Sequence, residues 1–227
     1  MESPTKTHTL SPEVAISQYF AAVYKWMTVA LGITAAVAWY TASSETVIAY
    51  LTTHAGITLM LIIIQFGFVI ALAGWARKMS YGTAIFTFLA YAALTGLTFS
   101  TIFLVYTESS IFKVFLVTAL MYGATSLYGY TTSRDLSGFG SFLFMSLIGI
   151  IIGSVLNLWL SSPLVEWMVT YGGIVVFAGL AAYDHQKLKH FALSGGPESL
   201  AITGALSLYL DFINLFLMLL RVMGNRR

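Results

Sequence analysis

Residues 206–220 read LSLYLDFINLFLMLL, an apolar run broken near its middle by Asp211. A run of this kind belongs in a bilayer, where a lone ionised carboxylate is expensive and polar groups turn toward the protein interior. Asp211 stands twelve residues after Ser199, about 18 Å along a helix and so near mid-membrane. It must therefore be protonated, paired or turned to a wet cavity. Gly204, Ser207, Asp211 and Asn214 recur at spacings of three or four, which draws one polar stripe along an otherwise greasy helix. The stripe predicts that this helix faces the inside of a bundle.

The chain around it fits that setting. Of 227 residues, 58% are hydrophobic and 9% charged, against about 25% charged in a soluble domain. The mean hydropathy is +0.84. A hydrocarbon core of ~30 Å takes about 20 residues of apolar helix. Seven stretches qualify, at 22–42, 55–75, 81–105, 111–130, 139–160, 166–184 and 199–220. The polar joints between them are short, so neighbouring helices should run antiparallel in one all-α bundle spanning 19–227. A polar tail, 1–18, precedes it. The stretch after Lys25, with Ala36-Val37-Ala38 behind it, superficially resembles a cleavable signal, but it starts late and further spans follow, so it reads as the first of them.

Lys and Arg positions set the orientation. With the N-terminus in the cytoplasm, Lys6, Lys25, Arg77, Lys78, Arg134, Lys187 and Lys189 fall inside, and Lys113, Arg221, Arg226 and Arg227 outside. The majority favours an N-in chain. The basic tail alone favours a six-span alternative in which the last segment dips in and returns. The absence of cysteine removes disulfides and thiolate chemistry. A net charge of +2 without a basic run excludes a nucleic-acid partner. The bilayer itself is the partner that the composition implies.

Most acids lie in the tail, the joints or helix ends, where water solvates them. Asp184, in AAYDHQ at the end of the sixth stretch, and Asp211 do not fit that description. Two carboxylates at one site resist joint ionisation and share a proton. Arg77, with Lys78 beside it, ends the second stretch on the same side as Asp184 and could close that end as an ion pair. By depth, however, Asp211 should lie roughly 10 Å beyond Asp184. The two meet only if the seventh helix starts near Gly204 or the sixth extends past Lys189. Otherwise Asp184 caps an interface and Asp211 bonds to a neighbouring helix. His185 could titrate near pH 6.5 and bias such a site, or be a plain interfacial group. Gln65 and Asn157, both mid-span, should bond between helices.

The segments AAYDHQKLK and ALSLYLDFINLFLMLLR, with ALTGLTFSTIFLVY and SLYGYTTSRDLSGFGSFLFM before them, resemble the Bax-inhibitor (transmembrane BAX inhibitor motif) family from about residue 19 to Arg227. Short tails make the chain most similar to bacterial inner-membrane members. The resemblance implies a seven-helix bundle with the last helix central, and a pH-sensitive calcium leak gated by a proton-sharing aspartate pair. By motif that pair is Asp184 and Asp211; since calcium prefers oxygen ligands, Ser207 and Asn214 could add to theirs on the path of calcium and protons. It also favours a late start for the seventh helix. A latch arginine seen in some members maps to Arg77 in GWARKMSYG, or one residue on, to Lys78. His185 stands where many members carry a smaller polar residue, which would shift the pH response.

The implied protein is no enzyme and needs no cofactor, calcium being the permeant ion. A YD in one span and an aspartate in the next also suggest an intramembrane aspartyl protease, but neither GxGD nor PAL occurs. A non-conducting regulator of membrane proteases or other inner-membrane complexes, and a proton-coupled transporter, are the remaining alternatives.

Overall fold

A computed structural model describes residues 11–194 and 199–227, the side chains of residues 55 and 194 excepted. Among these residues there are helices and connections but no strand. In chain order they are α1 (Pro12–Ser43), α2 (Glu45–Thr53), α3 (Ala55–Trp75), a 3-10 turn (Ala76–Lys78), α4 (Tyr81–Phe99), α5 (Ile102–Val105), α6 (Glu108–Thr131), α7 (Ser137–Leu160), α8 (Pro163–Ser194) and α9 (Ser199–Met223). Seven helical spans among the described residues are long and apolar enough to cross a membrane. Of the polar stretch expected at 1–18, the part from Pro12 on is already helical. Proline suits the first helical position, where its missing N–H is no loss. Residues 1–10 lie outside the described part.

Local chemistry sets the boundaries. Ser80 and Thr107 cap α4 and α6 by accepting the backbone N–H of Thr83 and Ser110. α7 ends at Ser161, whose φ of 47° is left-handed, and there Asn157 Oδ1 accepts the Ser162 N–H at 2.9 Å. Asn157 therefore closes its own helix instead of bonding to another, a correction to the sequence reading. Pro163 then opens α8.

The central helix is α9. Sixteen of its 25 residues are buried, and α1, α3, α4, α6 and α8 all pack on it. Tyr209, fully buried, shows how it is held. Thr34 Oγ1 donates to the Ala92 carbonyl at 2.9 Å, so it accepts from the Tyr209 hydroxyl, 2.7 Å away. One hydroxyl relay thus joins α1, α4 and α9, with Phe88 and Tyr91 edge-on to the Tyr209 ring. Close approach elsewhere needs glycine: a Cβ on Gly129 of α6 would collide with the Ala182 backbone of α8.

α9 runs without a break to Met223, and the tail behind it is tied down at the far end of the bundle. The Arg227 N–H donates to Val105 O at 2.9 Å, and Thr107 N–H to Asn225 O at 3.2 Å. Asn225 N–H donates to Ser110 Oγ at 2.8 Å. The tail therefore sits opposite the end that carries Tyr81, whose hydroxyl accepts from Trp26 Nε1, about midway along α1, at 2.8 Å. A full crossing replaces the six-span alternative.

Candidate functional site

The depth problem is solved by α8. It continues to Ser194, ten residues beyond Asp184, whereas α9 begins at Ser199. The late start of the last helix is thus not needed, and the extension of α8 takes its place. Counted from the end that these antiparallel helices share, Asp184 lies about 15 Å in and Asp211 about 18 Å. Mostly apolar sequence had set the end of the sixth span at 184. The DHQKLKHFALS stretch behind it is polar yet remains helical, because Gln, Lys, Leu and Ala are helix formers.

On this shared level the two acids come close enough for their charges to act on each other. The Ser207 side chain, one turn before Asp211, lines the same cavities as Asp184 and acts on its carboxylate. Asp211 is 6% exposed, and its Oδ2 is buried without a hydrogen-bond partner. Lys187, three residues after Asp184 on the same face of α8, acts electrostatically on both carboxylates. All four residues line a cleft of about 910 Å³. Its floor is the least buried stripe of α9, and its walls come from α3, α4, α7 and α8. Asn214 lies on that stripe and turns its amide NH₂ to its own backbone, 2.8 Å from Leu210 O. A smaller cavity of about 60 Å³ adjoins the pair between the end of α8 and the start of α9, lined by Thr203 and Ser207 among others.

The other sequence candidates stand elsewhere. His185 is fully buried and is absent from the lining of the cleft. Its Nδ1 is 2.6 Å from the Ala181 carbonyl and its Nε2 2.8 Å from the Tyr24 hydroxyl. A carbonyl only accepts, so Nδ1 carries the proton and, in the neutral ring, Nε2 accepts from Tyr24. Phe20 stacks on the imidazole and Tyr122 meets it edge-on. Arg77 and Lys78 lie exposed on the 3-10 turn. Among the described residues neither has an ion-pair partner, so the expected Arg77–Asp184 pair is absent from this conformation and Lys187 is the cation at the acids. The reason is reach: α8 brings its own lysine one turn from Asp184.

Sequence reasoning left Lys187 in a joint. Its spacing of three from Asp184 was the available signal, hidden by ending the helix too early. It also missed Tyr122, whose hydroxyl donates to Leu208 O at 3.2 Å and whose surroundings include the charges of both aspartates. A mid-span tyrosine carries no mark of such a place. Gln65 does join helices, accepting from Thr95 Oγ1 at 3.3 Å, and both line the cleft.

Among the described residues no cluster of three or more His, Asp or Glu side chains is placed to hold a metal ion. The aspartate pair is a two-carboxylate site with a lysine and a hydroxyl, able to hold or release protons and to offer a few oxygens to a cation.

Comparison with known proteins matches residues 16–227 to the family described as Inhibitor of apoptosis-promoting Bax1. The chain is 52% identical over 230 residues to the inner membrane protein YbhL of Escherichia coli K12, covering 99% of this chain and 98% of that protein. It is 41% identical to an uncharacterized protein of Borreliella burgdorferi, covering 93% of each. An uncharacterized membrane protein of Streptococcus pyogenes serotype M3 is 35% identical over 94% of this chain and 95% of its own length. With the family model spanning the whole bundle and relatives aligned end to end, the chain belongs to the Bax inhibitor family of membrane proteins.

Proposed function

We propose that the protein is a pH-sensitive leak for calcium or similar cations in a bacterial inner membrane, gated by Asp184 and Asp211. One observation carries the reading: a buried carboxylate with an unpartnered oxygen interacts with a second carboxylate inside a cleft at membrane depth. Acids are kept in such places for ion and proton movement. The inner-membrane placement rests on the relative from Escherichia coli. The N-terminus lies in the cytoplasm because Lys25, Arg77, Lys78, Arg134, Lys187 and Lys189 gather at its end of the bundle.

The mechanism follows from charge. Calcium takes about six to eight oxygen ligands. Asp184, Asp211, Ser207 and Asn214 offer part of that shell, which suits an ion in passage better than a resident one. The cleft continues past Asn214 to Leu217 and Met218, while Leu215, Phe216, Leu219 and Leu220 of α9 are buried. Lys187, which forms no ion pair among the described residues, acts on both acids as a tethered counter-charge, an attraction that ties α8 toward α9. Protons neutralise the acids and loosen that tie, while also competing with calcium for the same oxygens.

The test is calcium flux into liposomes carrying the pure protein, from about pH 5 to 8, for wild type and Asp211→Asn. The expected result is a pH-dependent flux whose pH dependence disappears in the variant. Flux no greater than in empty liposomes at every pH overturns the channel reading, and a stoichiometric co-purifying membrane protein would then favour a non-conducting regulator.

A further inference from the structure

Two cavities of opposite character share a wall. The 910 Å³ cleft is mostly apolar along its length and opens sideways into the bilayer. Phe66 on α3 and Phe144 and Ile151 on α7 line it while being 59%, 59% and 46% exposed. Residues exposed at this depth face lipid. A second cavity of about 580 Å³ lies where α7 begins and α8 ends, lined by Arg134, Asp135, Lys189 and His190 among others. Tyr183 and Lys187 line both cavities.

Their order along the membrane normal is that of a phospholipid. Lys187 lies seven residues before the end of α8, about 10 Å in, where the hydrocarbon region gives way to headgroups. Its ammonium rests 5.8 Å from the Tyr183 and Phe191 ring centroids, so its stem runs along apolar surface. The Arg134 side chain is exposed and has no ion-pair partner among the described residues. Lys189 Nζ gives one hydrogen bond to Tyr130 O at 3.1 Å, which leaves other N–H groups for a ligand. In the second cavity the lining carboxylate is Asp135, which is engaged with Ser137, while Asp184 and Asp211 act on Lys187 from the cleft. Basic pockets between membrane helices suit anionic headgroups.

We propose that an anionic phospholipid binds at this junction, with one acyl chain in the cleft between α3 and α7 and its phosphate among Lys187, Arg134 and Lys189. The charge selects the headgroup, and the open apolar slot selects a chain that enters from the bilayer. The same phosphate competes with Asp184 and Asp211 for Lys187, which couples lipid composition to the acid pair. Binding itself does not depend on conduction.

The experiment uses the full chain in phosphatidylcholine vesicles doped with phosphatidylglycerol that carries a diazirine in its acyl chain. Adducts are mapped by mass spectrometry, without any ion gradient. They are expected at Phe66, Phe144 and Ile151, displaced by unlabelled phosphatidylglycerol and not by added phosphatidylcholine. Replacing Lys187 and Arg134 by Gln should cut the preference for the anionic probe about fivefold for each charge removed. Ile151→Trp should block the slot while adducts on the outward faces of α1 and α6 persist, which reports an intact fold. Equal labelling by a phosphatidylcholine probe, adducts spread evenly over the bundle, or undiminished selectivity in the Gln variants would each overturn the proposal. Because no flux is read, an absent calcium leak leaves this result standing, and a failed lipid site leaves the leak standing.

Discussion

The Ser207 hydroxyl of α9 lines the same two cavities as the Asp184 carboxylate of α8 and lies one turn from Asp211 on its own helix. One small polar side chain therefore stands beside Asp184 at the level where the two carboxylates act on each other. A hydrogen bond to a charged group contributes about 1.5–3 kcal/mol, against roughly 1 for a neutral pair. Ser207→Ala should lower the unfolding free energy of the detergent-solubilised protein by up to about that amount, read as a lower thermal midpoint, and change the pH response of calcium flux. Ser207→Thr, which keeps the donor, should restore most of both. A midpoint unchanged in the alanine variant would mean that the hydroxyl holds nothing.

The backbone contact between α6 and α8 gives a sharper contrast. A Cβ on Gly129 would run into the Ala182 backbone, whereas one on Gly123 of the same helix meets nothing within 4 Å. Overpacking typically costs about 1–3 kcal/mol, and here rigid backbone is the obstacle. Gly129→Ala should therefore lower the thermal midpoint clearly, and Gly123→Ala should leave it unchanged or raise it, since alanine is the better helix former by about 1 kcal/mol. Equal effects at the two positions would show that α6 and α8 do not approach as described.

The overall bundle was legible because lipid leaves little choice: apolar runs of spanning length become helices. The site was legible in part. Asp211 stood out as a charge in an apolar run, and the stripe through Ser207 and Asn214 named its inward face. The level of Asp184 could not be read, because hydropathy marks where a helix leaves lipid and α8 continues past that point as ordinary polar helix to Ser194. The same polarity hid Lys187. His185 was legible only as a titratable neighbour of Asp184. Adjacent residues on a helix point about 100° apart, so it faces Tyr24 and Phe20 instead of the cleft.

Outside the membrane one acid has a pH signature of its own. The Ser137 hydroxyl and backbone N–H, the latter donating to Asp135 Oδ1 at 2.9 Å, hold its carboxyl below the usual range. A folded-state value below the unfolded one, which is about 3.9, adds stability that is complete above that value. It is lost as pH falls through the lowered folded value. Asp135→Asn should thus melt below wild type at neutral pH, and the two melting curves should converge as pH falls below about 4. A gap that stays constant down to pH 3 would assign the difference to something other than charge.

Gln186 clamps the connection that carries Asp135. Its Oε1 accepts the Leu136 N–H and its Nε2 donates to the Arg134 carbonyl, both at 2.8 Å. One side chain on α8 thereby satisfies two backbone groups just before α7 begins. Glutamate can keep the first bond but has no N–H for the second, and leucine loses both. An unmet buried polar group costs about 1–3 kcal/mol. The thermal midpoint should therefore fall in the order wild type, Gln186→Glu, Gln186→Leu, and backbone amide exchange should quicken at Leu136 in the leucine variant. Since Arg134 is held in place by this clamp, the leucine variant should also weaken anionic-lipid labelling while leaving Lys187 intact. Unchanged exchange at Leu136 would show that the 132–137 connection is fixed by its own turns and not by α8.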